Sequence, residues 1–283
     1  MKNIRFATYK VALHVLLHLP NVFYTTLFTI AFPIYKALHA ERAYGRVVRL
    51  LAEAHLDISA RDVFKGIYWN ALDSYRGLAR LKKTTGRIVY ENEAVIRDAI
   101  AECSQKGTPI AAISIHQGAF ELLHRALCRY SKHVQLITDS VGDSAFRDVL
   151  KELRSDPHLT EYHPDELPQL IRNLFKTKGV LAMVVDQGRH TKGNRVTLFG
   201  KPSTLYLRLP EKVNQMGAGI VTFRTWTEND RGHRIVIHFE KYYPPHYEEN
   251  GGDLPAEIAG EVENWIKENP SQWSWNYHKN FTV

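Results

Sequence analysis

Short apolar runs alternate with amphipathic stretches along most of the chain, and no other feature constrains the fold as strongly. Strands are predicted over Ile88–Tyr90, Ile110–Ile115, Val134–Thr138, Val180–Val185, Ile220–Trp226 and Ile235–Phe239. Helices are predicted over Glu93–Gln105, Phe120–Tyr130, Ala145–Arg154, Asp165–Lys176, Thr204–Met216 and Ala256–Glu268. Strands as uniformly apolar as Ile110–Ile115 are typical of a sheet that helices cover on both faces. The pattern therefore predicts an α/β fold with a central, mostly parallel sheet flanked by helices.

The N-terminal segment does not follow this pattern. Val11 to Tyr35 runs for 25 residues without a Lys, Arg, Asp or Glu, which is long enough to cross a bilayer core of about 30 Å. Pro20 and Pro33 are expected to break or kink a helix there, so two short apolar helices are predicted instead of one rod. Because basic residues flank both ends, we expect residues 1–40 to form a helical membrane-associating segment on or in the cytoplasmic leaflet. A single span and buried soluble helices are the alternatives.

The segment that follows is predicted to be helical before the sheet begins. Ser59 has the character of an N-cap, and apolar residues recur every three or four positions from Val63 to Leu81. Lys82–Arg87 is the candidate boundary between this helical part and the first strand. Residues 41–283 are interpreted as one α/β domain.

Charge and cysteine content narrow the classes of partner and cofactor. Lys and Arg exceed Asp and Glu by 37 to 30, which suits anionic lipid headgroups, an acidic carrier protein or nucleic acid. No zinc-finger or ribonucleoprotein pattern is present, so nucleic acid is not expected. The two cysteines, Cys103 and Cys128, have no paired spacing, and the histidines form no metal-binding frame. We therefore expect neither a metal nor another cofactor.

One strand ends in a group of residues suited to acid–base chemistry. Ile110–Ile115 is followed directly by His116-Gln-Gly-Ala-Phe-Glu121, and ligands of such sheets bind outside the carboxyl ends of the strands. If Gly118 allows a turn there, His116 could take a proton from a hydroxyl group while Glu121 hydrogen-bonds the other ring nitrogen. The alternative is a histidine that caps the next helix, with Glu121 stabilising the N-terminus of that helix.

Several motifs, in order, resemble those of the bacterial lipid A biosynthesis acyltransferases, within the lysophospholipid acyltransferase-like group. The His-x-x-x-x-Glu block after a strand resembles their signature. Leu181–Gln187 resembles their apolar strand that ends in Asp-Gln, and Val196–Ser203 resembles their Phe-Gly-x-Pro-small segment. Trp265–Tyr277 resembles their Pro-x-Gln-aromatic-x-Trp tail. The resemblance covers roughly the whole chain.

The sequence also departs from the family pattern. Gln117, Ala119 and Phe120 stand where typical members have Phe, Asn and Trp, and Lys279 and Asn280 stand where the tail usually carries an arginine. We expect the first set to alter the lining of the site on the acceptor side.

The resemblance implies an acyltransferase domain over residues 41–283 and a reaction at the cytoplasmic face of the inner membrane. A fatty acyl group would pass from acyl carrier protein, or from a coenzyme A thioester, to a hydroxyl of a lipid A precursor. His116 would be the general base and Glu121 its orienting partner, with no acyl-enzyme intermediate. Another glycolipid or phospholipid could be the acceptor instead, and a non-catalytic membrane-surface protein is the remaining alternative.

Candidate substrate-binding residues lie mainly in the polar loop after the second signature strand. We expect Arg189 to bind an anionic group, with Gln187 beside it. Asp186 is predicted either to orient Arg189 or only to terminate the strand. Arg154 resembles a recurrent family arginine and is a further anion-binding candidate, with a solvated surface arginine as the alternative.

Overall fold

The computed structural model describes residues 2–80, 87–138, 144–187, 192–228 and 234–275. The strands are β1 (Ile88–Glu91), β2 (Ile110–Ser114), β3 (Val134–Ile137), β4 (Leu159–Tyr162), β5 (Val180–Val184), β6 (Asn194–Leu198), β7 (Lys201–Leu205), β8 (Gly219–Glu228) and β9 (Arg234–Tyr243). Seven of them form one sheet in the order β1-β9-β8-β2-β5-β3-β4. Every neighbouring pair in this sheet is parallel except β8 with β9. The predicted mostly parallel sheet is confirmed.

Helices cover both faces of this sheet. The α-helices of the described residues are α1 (Lys2–His18), α2 (Asn21–Leu38), α3 (Gly45–Glu53), α4 (Ala60–Ala79), α5 (Glu93–Lys106), α6 (Leu123–Leu127), α7 (Ser144–Arg154), α8 (Leu167–Thr177), α9 (Arg208–Gln215) and α10 (Leu254–Glu268). One core cluster joins the sheet to α3, α4, α8, α9 and α10, and a second cluster joins the opposite face to α5 and α6. The fold class predicted from the sequence is therefore confirmed.

The central strand β2 shows why its sequence is uniformly apolar. Ala111 and Ile113 belong to one core cluster, whereas Ile110 and Ala112 belong to the other. Both faces of the strand are thus covered by helices, and a polar side chain on either face would lose its contact with water.

A hairpin that the sequence pattern did not predict follows β5. β6 and β7 pair as an antiparallel ribbon, and Phe199 and Gly200 form its two-residue loop with φ angles of +54° and +69°. Two positive φ values are what a tight hairpin turn requires. The predicted helix Thr204–Met216 is therefore wrong at its start, because Ser203 and Thr204 lie in β7. The helix begins only at Arg208, as α9. The short strand β4 was also missed.

The N-terminal segment forms two helices, as predicted. α1 ends at His18 and α2 begins at Asn21, and between Phe6–His18 and Asn21–Leu38 the chain bends by 113°. Pro33, which was expected to interrupt a helix, lies inside α2. Among the described residues, no helix alone has the length and apolar character needed to cross a bilayer, and only this bent pair reaches that threshold when the two parts are taken together.

The bend is bound to the domain by a buried arginine on α4. The guanidinium of Arg76 donates to the carbonyl oxygen of Leu19 at 2.7 Å and to Oδ1 of Asn21 at 2.9 Å. It also lies 3.9 Å from the ring centre of Tyr24, at cation–π distance. At the other end of α4, Ser59 accepts from the backbone N–H of Asp62, which confirms the predicted N-cap.

The chain after α10 crosses α4 at Gly66, where the two backbones are in close contact. A Cβ atom at Gly66 would lie 2.0 Å from the carbonyl oxygen of Ser271. We expect Gly66→Ala to lower the free energy of unfolding by about 1–3 kcal/mol, because either the tail or α4 must move. Urea denaturation followed by circular dichroism measures this change.

Gly260 in α10 provides the matched control. Apart from the neighbouring residues and the backbone of its own helix, no atom lies within 4 Å of the position that its Cβ would take. The same substitution there should raise the free energy of unfolding by about 0.5–1 kcal/mol, since alanine is the better helix former. Equal effects at the two positions would contradict the close contact between the tail and α4.

Candidate active site

His116 and Asp186 lie side by side at the carboxyl edge of the sheet. β2 and β5 are parallel neighbours with Ser114 opposite Val184, and each of the two polar residues stands two positions beyond that pair. The Nδ1 atom of His116 lies 2.7 Å from Oδ1 of Asp186. Strand order thus brings together two residues that are 70 positions apart.

Asp186 is only 2% exposed, and its carboxylate is surrounded by donors. It accepts from the backbone N–H of His116 and, at 2.9 Å, from the indole N–H of Trp273. Burial alone raises the pKa of Asp186, but the charge and hydrogen bonds of His116 and the hydrogen bond from Trp273 outweigh burial, so the pKa is lowered. The carboxylate is therefore ionised and can only accept hydrogen bonds.

An ionised Asp186 fixes the state of the His116 ring. Because the carboxylate has no proton to give, Nδ1 of the neutral imidazole must carry the proton, and the lone pair is then on Nε2. The ring is partly exposed, with 12% of its side-chain surface accessible. This arrangement provides a base at the edge where ligands of α/β sheets bind.

The predicted role of Glu121 as the group that orients His116 is corrected by this geometry. Asp186, not Glu121, is the carboxylate on Nδ1 of His116. The two oxygens of Glu121 instead accept from Nε and Nη2 of Arg154, at 2.8 and 2.9 Å. Glu121 was expected at the ring because it is the nearest carboxylate in the sequence, but a short 3-10 turn, Phe120–Leu122, directs it towards α7.

Arg154 is therefore neither solvated nor an open anion site. Its side chain is only 15% exposed, and that of Glu121 is 11% exposed. The alternative of a solvated surface arginine is wrong, and binding of a substrate anion by Arg154 stays a prediction. Asp186 lies two residues beyond the end of β5 and binds His116 and Trp273, and its predicted role in orienting Arg189 stays a prediction. Gln187 is half-buried next to it, and Arg189 lies outside the described residues.

Residues 272–274 of the tail bind the loop that carries His116. Gln117 pairs with Trp273 in an isolated β-bridge, and the backbone N–H of Ser274 donates to the carbonyl oxygen of His116 at 2.8 Å. The backbone N–H of Gly118 donates to Gln272 at 2.9 Å. The aromatic tail motif thus contacts the loop that carries His116, a role that sequence reasoning missed.

Position 118 requires a glycine for two reasons. Its φ angle is +54°, and a Cβ atom there would lie 2.6 Å from the carbonyl oxygen of Thr225 in β8. The predicted turn after His116 is therefore present, and it approaches the neighbouring strand too closely for any side chain.

Most of the described residues that differ from the family pattern are buried in the core. Gln117 and Ala119 are both 0% exposed, and the side chain of Gln117 donates to the carbonyl oxygen of Trp265. The expectation that these two residues line the acceptor side is therefore wrong. Phe120 does contact the site, with its ring 4.8 Å from the ring of His116. Lys279 and Asn280 lie outside the described residues.

Within the described ranges, no group of three or more His, Cys, Asp or Glu residues is placed to hold a metal ion. Cys128 is a poor nucleophile, because burial and the nearby Asp156 raise the pKa of its thiol to about 12.

His124, next to Arg154 in the same polar region, gives the site a pH-dependent stability. Burial, reinforced by the charges of Arg154 and Arg125, lowers the pKa of His124 from 6.5 to about 3. The unfolded chain takes up a proton on this ring near pH 6.5, whereas the folded protein does so only near pH 3, so acid favours unfolding in between. We expect His124→Gln to reduce the stability lost between pH 7.5 and pH 5 by about 2 kcal/mol.

Urea denaturation of the two proteins at both pH values tests this expectation. Lost packing in the variant would lower stability equally at pH 7.5 and pH 5 and therefore cancels in the difference. An identical acid dependence of the two proteins would show that the ring does not stay neutral in the fold.

Comparison with known proteins assigns the family. A search of curated proteins finds no match to this chain. The family model described as bacterial lipid A biosynthesis acyltransferase matches residues 81–282, which include β1 to β9, the His116–Asp186 pair and the aromatic tail. With most of its length matched, the chain belongs to the bacterial lipid A biosynthesis acyltransferase family.

Proposed function

We propose that this protein transfers a fatty acyl chain from the thioester of acyl carrier protein, or of coenzyme A, to a hydroxyl of a lipid A precursor. Family membership supports an acyltransferase with an acyl donor and a lipid acceptor. The observation that carries the mechanism is the His116–Asp186 pair, a partly exposed imidazole bound through Nδ1 to a buried, ionised carboxylate.

The proposed reaction needs one base and no covalent intermediate. Nε2 of His116 takes the proton of the acceptor hydroxyl as its oxygen attacks the thioester carbonyl carbon. Asp186 stabilises the imidazolium that forms and keeps the ring in place. The carbon–sulfur bond then breaks, and the proton passes from His116 to the leaving thiolate. The products are an ester on the lipid and a free carrier thiol.

Anionic groups of the substrates would meet cations near the same edge. Lys192 and Arg195 are exposed, and with Asn194 and Arg208 they line a groove of about 660 Å³ beside the β6–β7 hairpin. The base of this hairpin adjoins the site, because the backbone N–H of Tyr206 donates to the carbonyl oxygen of Val185. Gln187 and Arg189 remain our candidates for binding the reacting groups.

The proposed place of action is the cytoplasmic face of the inner membrane. α2 presents a row of exposed apolar side chains on one side, whereas its opposite side, with Tyr24 and Phe32, is buried in the protein. The exposed set is Val22, Phe23, Leu27, Ile30, Ile34 and Leu38. Contiguous exposed apolar surface of this kind is typical of a helix that lies in a membrane interface.

The first test is mass spectrometry of lipids from a Gram-negative host that lacks its own late acyltransferases and expresses the protein. We expect one added acyl chain on lipid A with the wild type and none with His116→Ala. In an assay with purified protein, Asp186→Asn should lower kcat/KM by about 10²- to 10⁴-fold, because the imidazole loses its orienting charge. His158→Ala, at an exposed histidine outside the site, is the control and should keep full activity.

The possible outcomes test the proposed reaction and the identity of the acceptor separately. A His116-dependent acyl gain on another lipid keeps the mechanism and replaces lipid A as the acceptor. An unchanged lipid profile, with folded and membrane-bound wild-type protein, would overturn the proposed reaction.

A second test addresses the membrane surface. Ile30 and Ile34 are 66% and 63% exposed on α2. The double substitution Ile30→Glu with Ile34→Glu should abolish flotation with vesicles of phosphatidylethanolamine and phosphatidylglycerol, since it places two charges in the apolar row. Thr25→Glu, which adds charge about 140° around the helix from Ile30, should float more than the double variant. Equal flotation of all three proteins would remove α2 as the membrane contact.

A further inference from the structure

We propose that Trp273 is a positioning residue for the catalytic pair, acting through the N–H of its indole ring; this inference rests on the proposed function. Trp273 is 0% exposed, so it does not contact a substrate. Its influence on the reaction passes through Asp186 to His116.

The two oxygens of Asp186 have different side-chain partners, although both also lie near the backbone N–H of His116, at 3.2 and 3.1 Å. Oδ1 lies 2.7 Å from Nδ1 of His116, whereas Oδ2 accepts from the indole N–H of Trp273 at 2.9 Å. A carboxylate that is bound on both oxygens cannot rotate about its Cβ–Cγ bond without losing one of the two bonds. The indole therefore fixes the plane of the carboxylate, and that plane fixes the ring of His116.

The same segment also fixes the backbone on which His116 stands. Ser274, next to Trp273, donates its backbone N–H to the carbonyl oxygen of His116, and Gln272, on the other side, accepts from Gly118. Three consecutive residues of the tail, 272–274, thus position both the side chain and the backbone of His116. The side chain of Asn70 on α4 in turn donates to the carbonyl oxygen of Gln272 at 2.8 Å.

Trp275 is a control position that distinguishes the loss of the hydrogen bond to Asp186 from the loss of an indole ring in the core. It is also 0% exposed, and its ring lies 4.7 Å from that of Trp273. Its indole N–H donates to the carbonyl oxygen of Pro270, which is not part of the catalytic pair. Changing either tryptophan to phenylalanine removes the same atoms from the core and one hydrogen bond of the indole N–H, but only the change at position 273 removes a partner of Asp186.

The experiment compares Trp273→Phe, Trp275→Phe and a protein in which Trp273 is replaced site-specifically by 3-benzothienylalanine. The last replacement keeps the bicyclic shape and substitutes sulfur for the N–H, so the fold is preserved if the phenylalanine variant is unstable. We expect both changes at position 273 to lower kcat about 10- to 100-fold with little change in KM. Trp275→Phe should keep a kcat close to that of the wild type.

Nitrogen-15 NMR of histidine-labelled protein provides a readout independent of turnover, with the His116 signal assigned by its loss in His116→Gln. The wild type and Trp275→Phe should show a ring protonated at Nδ1, and both changes at position 273 should give a mixture of tautomers. If the wild type transfers no acyl group, the proposed function fails, while the tautomer still tests Trp273. An unchanged tautomer and kcat in the benzothienyl protein would overturn the inference.

Discussion

The carboxylate of Asp186 is ionised although only 2% of the residue is exposed. Burying such a charge without partners costs several kcal/mol, so its donors must be in place in the folded protein. Two of these donors come from His116 after β2 and one from Trp273 after α10. The carboxylate therefore connects the central strands to the end of the described chain, and the position of the proposed base depends on all three segments.

This connection explains features that have no chemistry of their own. Gly118 allows the His116 loop to approach β8, and Gly66 allows the tail to cross α4 on its way to the site. The three buried tryptophans of the tail region, Trp265, Trp273 and Trp275, fill the core. Together with the close contact at Gly66, this packing holds the tail where the indole of Trp273 reaches Asp186.

The sequence predicts the elements that depend on a local pattern. It does not predict contacts between residues that are far apart in the chain. All six predicted strands are present because each is a short apolar run, and His116 lies at a strand end because the run stops there. The partner of His116 depends on β5 lying next to β2, which no local pattern encodes, so the nearer carboxylate, Glu121, was chosen wrongly. The β6–β7 hairpin was missed for a local reason, since Phe199 at positive φ does not resemble the usual glycine or asparagine of such a turn.

The charges around Arg154 bear on where an anionic substrate group would bind. Its guanidinium is bound by both oxygens of Glu121, and Glu161 and the neutral His124 lie near it. An anionic substrate group at Arg154 must therefore compete with a bidentate carboxylate in a nearly buried setting, where breaking the pair leaves a charge without compensation. Lys192 and Arg195 are exposed, and the groove that they line with Arg208 also contains one carboxylate, that of Asp253. We therefore expect a phosphate of the acceptor or donor to bind along the β6–β7 groove, while the Arg154–Glu121 pair keeps α7 against the turn that follows His116.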